Sequence, residues 1–247
     1  MIAEINNKIS SKLANSEDLL TGNFFGTLRY TNIENTIPCV FKACKFNNSE
    51  SKNIFNLAIN DINTSGDPFV FWPRNEGDEI DLIIELGDFV IGVEIKLNSG
   101  LSSDDDIVND EINKIDYSKN QLSRYSFLLK RKYPNKRCIL LFLAKEDVVS
   151  NIYYSVLKRN IINSDVLFGY LSWQNILESL ECYKPSNNEL LIIKDLIQYL
   201  TKKGFDTFKS FVTEQEVNSD LFFNFSFIER FSFLTQKQIL KLAYEYE

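Results

Sequence analysis

An α/β fold is predicted for this chain: a helix, three strands, a helix and a further strand, followed by a helical C-terminal extension. Three observations carry that reading. The stretch Asp78 to Lys96 alternates as a β-hairpin about Gly87-Asp88. Asp116 to Tyr133 carries Leu122, Tyr125, Phe127, Leu128 and Leu129 on an otherwise basic segment, as an amphipathic helix does, and Pro134 ends it. Cys138 to Ala144 is short and wholly apolar, which suits a strand covered on both faces. A strand, helix, strand order also makes that last strand parallel to a neighbour in the same sheet.

In chain order, residues 1–30 are expected to be helical, with Ser16 capping a helix whose first turn holds Glu17 and Asp18. Gly22 and Gly26 would lie on one side of it and permit close packing. Thr36 to Phe41 reads as strand or loop, and Lys52 to Ile62 as a short helix. The break N-T-S-G-D-P precedes Phe69 to Trp72, a strand signal stopped by Pro73. Strands are thus expected at about residues 68–73, 79–86 and 89–97. From Val148 the pattern weakens: Val166 to Leu171 suggests one more strand, and Trp173 to Tyr183 and Asn188 to Lys203 suggest helices, Gly204 ending the second. Phe205 to Phe211 suggests a turn or helix, and Phe222 to Tyr246 an aromatic helical tail. The organisation expected is a core over 1–147, with 148–247 adding the remaining strand and a helical extension.

The hairpin holds the chemistry. If Gly87-Asp88 is a two-residue loop, Leu86 pairs with Phe89 and Asp81 falls opposite Glu94. One face is then Leu82, Ile84, Leu86, Phe89, Ile91, Val93 and Ile95, with no polar member to tolerate a slip of register. The other carries Asp81, Ile83, Glu85, Val90, Gly92, Glu94 and Lys96. Carboxylates opposed across a ladder lie about 5 Å apart and repel. A divalent cation removes the conflict, and Mg²⁺ accepts such oxygen ligands. Lys96, two residues past Glu94 on the same face, could hold a water or a developing negative charge. A solvated E-x-K face is the plainer reading of the same pattern.

Composition narrows the chemistry. The 247 residues are 44% hydrophobic and 25% charged, as in ordinary globular chains, and no apolar run approaches the roughly 18 residues of a membrane span. The N-terminus has no signal-peptide pattern, so a cytoplasmic location is expected. Cys39, Cys44, Cys138 and Cys182 are too few and scattered for a disulfide framework. There is no histidine, which excludes Ser-His-Asp and Cys-His catalysis and His-ligated zinc. The net charge is −7, yet Tyr117 to Lys145 has no acid and eight basic residues, among them Lys130, Arg131 and Lys132. That stripe suits a polyanion beside an acidic site, and it equally suits a solvated helix face. The run Asp104 to Asp106 reads as a solvated loop.

The order of these motifs resembles the PD-(D/E)xK nuclease superfamily, in its RecB-like branch. Asp81, preceded by Ile80 where the family name has proline, stands as the motif acid, and Glu94-Ile95-Lys96 as (D/E)xK. Q-L-S-R-Y, Gln121 to Tyr125, matches Q-x-x-x-Y, and Ser16 to Tyr30 is similar to the N-terminal helix of bacterial members. The likeness spans about residues 14–145, and the Trp173 helix and the 195–211 stretch are similar to the extension of the same proteins. It implies a restriction-endonuclease-like αβββαβ core and phosphodiester hydrolysis, DNA favoured over RNA. Asp81, Glu94 and the Ile95 carbonyl would bind Mg²⁺, for which Mn²⁺ would substitute, and Glu17 (or Asp18) would complete the site. Lys96 and Gln121 would be catalytic, and Tyr125, Lys130, Arg131 and Lys132 would contact nucleic acid. For Gln121 and Tyr125, helix packing with a polar tip is the competing reading. A bacterial defence or repair setting follows from the same likeness, with a non-cleaving member of a multi-protein complex as the alternative. The tail from Phe222 would serve as the interface for a homo-oligomer or a partner subunit.

Overall fold

The structure is a computed structural model that describes residues 1–8, 10, 16–60, 62, 66–75, 77–97, 101, 103–104 and 118–206, all within one compact unit, Met1–Thr207. Asp105, Asp106, Asp116, most of the 205–211 stretch and the aromatic tail lie outside the described residues. The helices are α1 (Ile2–Ile5), α2 (Glu17–Leu28), α3 (Ile33–Phe41), α4 (Ser49–Asn60), α5 (Gln121–Lys132), α6 (Glu146–Arg159), α7 (Trp173–Glu181) and α8 (Leu190–Lys202). The strands are β1 (Lys45–Phe46), β2 (Phe69–Phe71), β3 (Arg74–Asn75), β4 (Asp78–Glu79), β5 (Leu82–Leu86), β6 (Phe89–Ile95), β7 (Arg137–Ala144) and β8 (Val166–Ser172).

Six strands form one open mixed sheet in the order β1-β8-β7-β6-β5-β2, flanked by helices, so the fold is α/β. The hairpin has the expected register, Leu86 opposite Phe89 through Leu82 opposite Val93. Gly87 stands at φ +55°, which a turn opening on glycine requires. β6 and β7 are parallel, joined through α5, and β7 and β8 are parallel, joined through α6. Each face of the sheet has its own core. Leu82, Ile84, Leu86, Ile91, Val93 and Ile95 join Leu20, Phe24, Phe25, Val40 and Trp173 in one cluster. Ile83, Val90, Leu140 and Phe142 join Leu122, Tyr125, Leu129 and Tyr153 in the other. β7 alternates between the two, which is why its sequence is apolar throughout. Gly92 lets α5 approach this second face: a Cβ there would meet Leu129 Cδ1 at 2.7 Å.

Several expectations are corrected. Thr36 to Phe41 is helical, part of α3, because Asn32 Oδ1 caps it at Glu34 N (3.1 Å) and Ile37, Val40 and Phe41 bury one side. Pro38 inside that helix removes one N–H, which this burial outweighs. The strand expected over 79–86 is interrupted. Trp72 takes φ +47° before Pro73, and β3 and β4 pair apart from the main sheet, so β5 begins only at Leu82. The basic helix starts at Gln121, not Asp116: Asn120 caps it by accepting from Leu122 N (3.0 Å) and Ser123 N (3.2 Å). α6 was hidden in the weak region after Val148, although Val149, Tyr153 and Val156 carry its buried stripe. Of Gly22 and Gly26, only Gly22 is closely approached, by the Trp72 ring. The four cysteines are free, and no helix among the described residues is long and apolar enough to cross a membrane.

Candidate functional site

The site forms where β5 begins and β6 ends. One step beyond Leu82 and Val93 the register sets Asp81 opposite Glu94. Asp81 accepts from the Ile95 N–H through Oδ2 (2.7 Å), and its carbonyl accepts from Trp72 N (3.1 Å), so both strands grip it. Ile95 turns its side chain into the opposite core, while Glu94 and Lys96 flank it in sequence. Lys96 Nζ lies 2.7 Å from Glu94 Oε1 and 3.4 Å from Glu17 Oε2. Glu17 arrives from the first turn of α2, held there by the Ser16 cap (Leu19 N to Oγ, 3.4 Å), and its Oε1 accepts from Leu97 N (3.0 Å). Asp18, the alternative acid, is exposed. The backbone of Lys96 is held at both ends: its N–H donates to Leu143 O (2.8 Å) and its carbonyl accepts from Trp173 Nε1 (3.2 Å).

The cluster crowds carboxylates around one ammonium: Glu17, Asp81 and Glu94 all act on Lys96. Glu94 is 0% exposed, and neither of its oxygens has a hydrogen bond; Lys96 Nζ approaches from off the hydrogen-bonding direction. Burial, and then the charge of Asp81, push its carboxyl up to about 8 against the pull of Lys96. Burial likewise raises Asp81 to about 6, although the Ile95 N–H and Lys96 oppose it. Burial would lower Lys96, but Glu94, Glu17 and Asp81 outweigh it and hold the ammonium charged. Both groups are raised, which keeps the lysine charged but favours the neutral form of the acid. Lys96 answers to three acids and stays protonated, whereas Glu94 answers mainly to its loss of water and retains a proton near neutrality.

Gln121 and Tyr125 lie on the side of α5 facing the sheet. Gln121 Nε2 donates to Tyr125 Oη (2.9 Å), and that hydroxyl donates to Glu79 O, bracing the backbone just before Asp81. Tyr125 is buried, and burial together with the charge of Glu94 raises its hydroxyl. The nearby acids are engaged elsewhere: Asp78 pairs with Arg124 (3.0 Å), Glu79 with Arg74, and Asp104 with Arg159 (2.6 Å). Lys130, Arg131 and Lys132 occupy the last turn of α5, about 14 Å along the axis from Gln121, and are not brought into the acid cluster.

Sequence reasoning missed Trp72, whose strained backbone sits beside Asp81, and Trp173, which fixes Lys96; neither has a local signature. Among the described residues no three or more Cys, Asp or Glu side chains are grouped as a metal site. The orphaned oxygens of buried Glu94, next to the Asp81 carboxyl, are nevertheless what a divalent cation suits. Comparison with protein-family models, with curated proteins and with solved structures returns no match.

Proposed function

We propose that this chain is a Mg²⁺-dependent nuclease of the PD-(D/E)xK kind, on a restriction-endonuclease-like core, hydrolysing phosphodiester bonds with DNA favoured over RNA. One observation carries the reading: Asp81, Glu94 and Lys96 meet at the end of paired strands, with Glu94 buried and met only by the Lys96 ammonium. A structural sheet gains nothing from that arrangement. Asp81, Glu94 and the Ile95 carbonyl are the groups that would hold the ion. Bound there, Mg²⁺ supplies a water of lowered pKa and screens the phosphate. Lys96, kept charged by its acids, donates to the attacking water or to the phosphate oxygen on which charge builds. Glu17 aims Lys96 through their ion pair and ties Leu97 in place. Gln121 and Tyr125 brace the segment carrying Asp81. Bacterial defence against phage, or repair, is the setting such chemistry serves.

The reading is tested by incubating supercoiled plasmid with the protein and Mg²⁺, then with EDTA. Cutting that requires the metal and is absent in Glu94→Ala and Lys96→Ala supports it; equal cutting by both variants removes it. The complete burial of Glu94 favours a second reading, a non-cleaving scaffold of the same fold in which the Glu94–Lys96 pair is structural. That reading predicts neither metal uptake nor cleavage.

A further inference from the structure

Trp72 is the corner at which the chain leaves β2, and it carries three local costs together. Its φ of +47° is one that a glycine takes freely and a bulky residue resists. Its buried Nε1–H finds no acceptor among the described residues, a loss that a phenylalanine would avoid. Its ring also closes on α2 so tightly that a Cβ at Gly22 would stand 3.2 Å from Cη2, and glycine inside a helix is itself unfavourable. Costs gathered on one side chain persist where the surrounding structure uses its position. Here the strain has a visible product. Phe69 and Phe71 join the core that α2 lines, so strand alternation would aim residue 72 at the opposite face; the left-handed backbone returns the indole to α2.

Both ends of this residue lead to the acid cluster. Its backbone N–H donates to Asp81 O (3.1 Å), which fixes where β5 begins. Its ring rests on α2 about 7.5 Å along the axis from Glu17, whose carboxylate reaches Lys96 and Leu97 N. Glu17 and Asp18 of that helix already act on the Asp81 carboxyl. We propose that Trp72 is a positioning residue: its indole is the spacer between α2 and the start of β5, sets how far Glu17 stands from Asp81, and so sets the affinity of the cluster for a divalent cation. An ion as small as Mg²⁺ needs its oxygens at about 2 Å in a fixed geometry, so slack in either element is felt as lost affinity. The role rests on the nuclease reading only for the presence of the cation, and it is read without cleavage.

The test titrates the full chain, stripped of metal, with Mn²⁺ alone and reads the free ion by electron paramagnetic resonance. Trp72→Ala should bind Mn²⁺ about tenfold more weakly than the parent. Gly22→Ala should be no less stable in denaturant, because alanine suits a helix better, yet bind severalfold more weakly, because its methyl displaces the ring. Adding Trp72→Phe to Gly22→Ala withdraws the ring edge from that methyl and should recover the affinity. A merely structural tryptophan would move the unfolding midpoint and leave the Mn²⁺ affinity of the folded protein alone. Should Trp72→Ala fail to fold, the Gly22→Ala protein and its double variant decide. Folded variants that bind as the parent does overturn the proposal, and so does a parent that takes up no Mn²⁺, which would remove the nuclease with it. Trp72-dependent binding without plasmid cutting would keep the spacer and remove the nuclease; metal-dependent cutting with an affinity indifferent to Trp72 and Gly22 would do the reverse.

Discussion

Glu4 and Glu94 are both removed from water, and the protein treats them differently. Glu4, 4% exposed, receives Asn23 Nδ2 (2.7 Å) and Tyr199 Oη (3.2 Å) and is ion-paired with the buried Lys203. Glu94, 0% exposed, has the Lys96 ammonium 2.7 Å away, off the hydrogen-bonding direction, and no other polar partner. Each has its lysine, so a buried ion pair is not what distinguishes them. The difference lies in the remaining acceptor sites. Glu4 is saturated and joins α1, α2 and α8; Glu94 keeps unspent acceptor capacity next to a second carboxylate. Saturation marks a structural carboxylate, and deprivation marks one held ready for a ligand.

Removing each acid separates the two roles. Glu94→Ala should reduce Mg²⁺-dependent cleavage by about a thousandfold or more, with the fold retained. Glu4→Gln should change cleavage rates little but cost about 1–2 kcal/mol in denaturant unfolding, because it weakens the carboxylate's bonds to Asn23, Tyr199 and Lys203.

A second measurement concerns protons. The fold raises the Glu94 carboxyl from its ordinary 4.5 to about 8, and Asp81 from 3.8 to about 6. Between those limits the unfolded chain has released protons that the folded chain still holds. Metal-free stability should therefore fall as pH rises from about 4.5 to about 8, by on the order of 5 kcal/mol for Glu94 alone. Glu94→Gln should flatten that slope and be the more stable protein at the upper limit. Added Mg²⁺ should stabilise the parent increasingly with pH, since it replaces those protons. A stability that rises through the window would contradict the assignment.

Smaller effects sharpen the geometry. Gly92→Ala forces a Cβ against Leu129 Cδ1 and should cost about 1–3 kcal/mol by lifting α5 from the sheet. Tyr125→Phe removes the hydrogen bond to Glu79 O; a loss of about 1 kcal/mol and a severalfold fall in cleavage are expected. If that variant cuts at the parent rate, the brace on the Asp81 segment is not used.

The hairpin could be read from sequence because its determinants are local: a glycine at the turn and a strictly apolar face leave one register for Asp81 and Glu94. β7 was legible for the same reason, its apolar run being longer than any one-faced strand needs. α3 was not, because β-branched residues and Pro38 argue against a helix until burial against neighbouring elements outweighs them. α6 escaped because exposed side chains such as Tyr154 blur its stripe.

The amino-acid order alone thus decided which residues pair across the hairpin, which helix follows it, and that no histidine takes part. Tertiary structure decided the rest. Glu17 reaches Leu97 across 80 positions and Trp173 reaches Lys96 across 77, contacts that no local spacing encodes. The isolation of Glu94 is likewise a property of everything packed around it. Alternation along a strand is a matter of backbone sterics, whereas the loss of water around one carboxylate depends on the whole assembled fold.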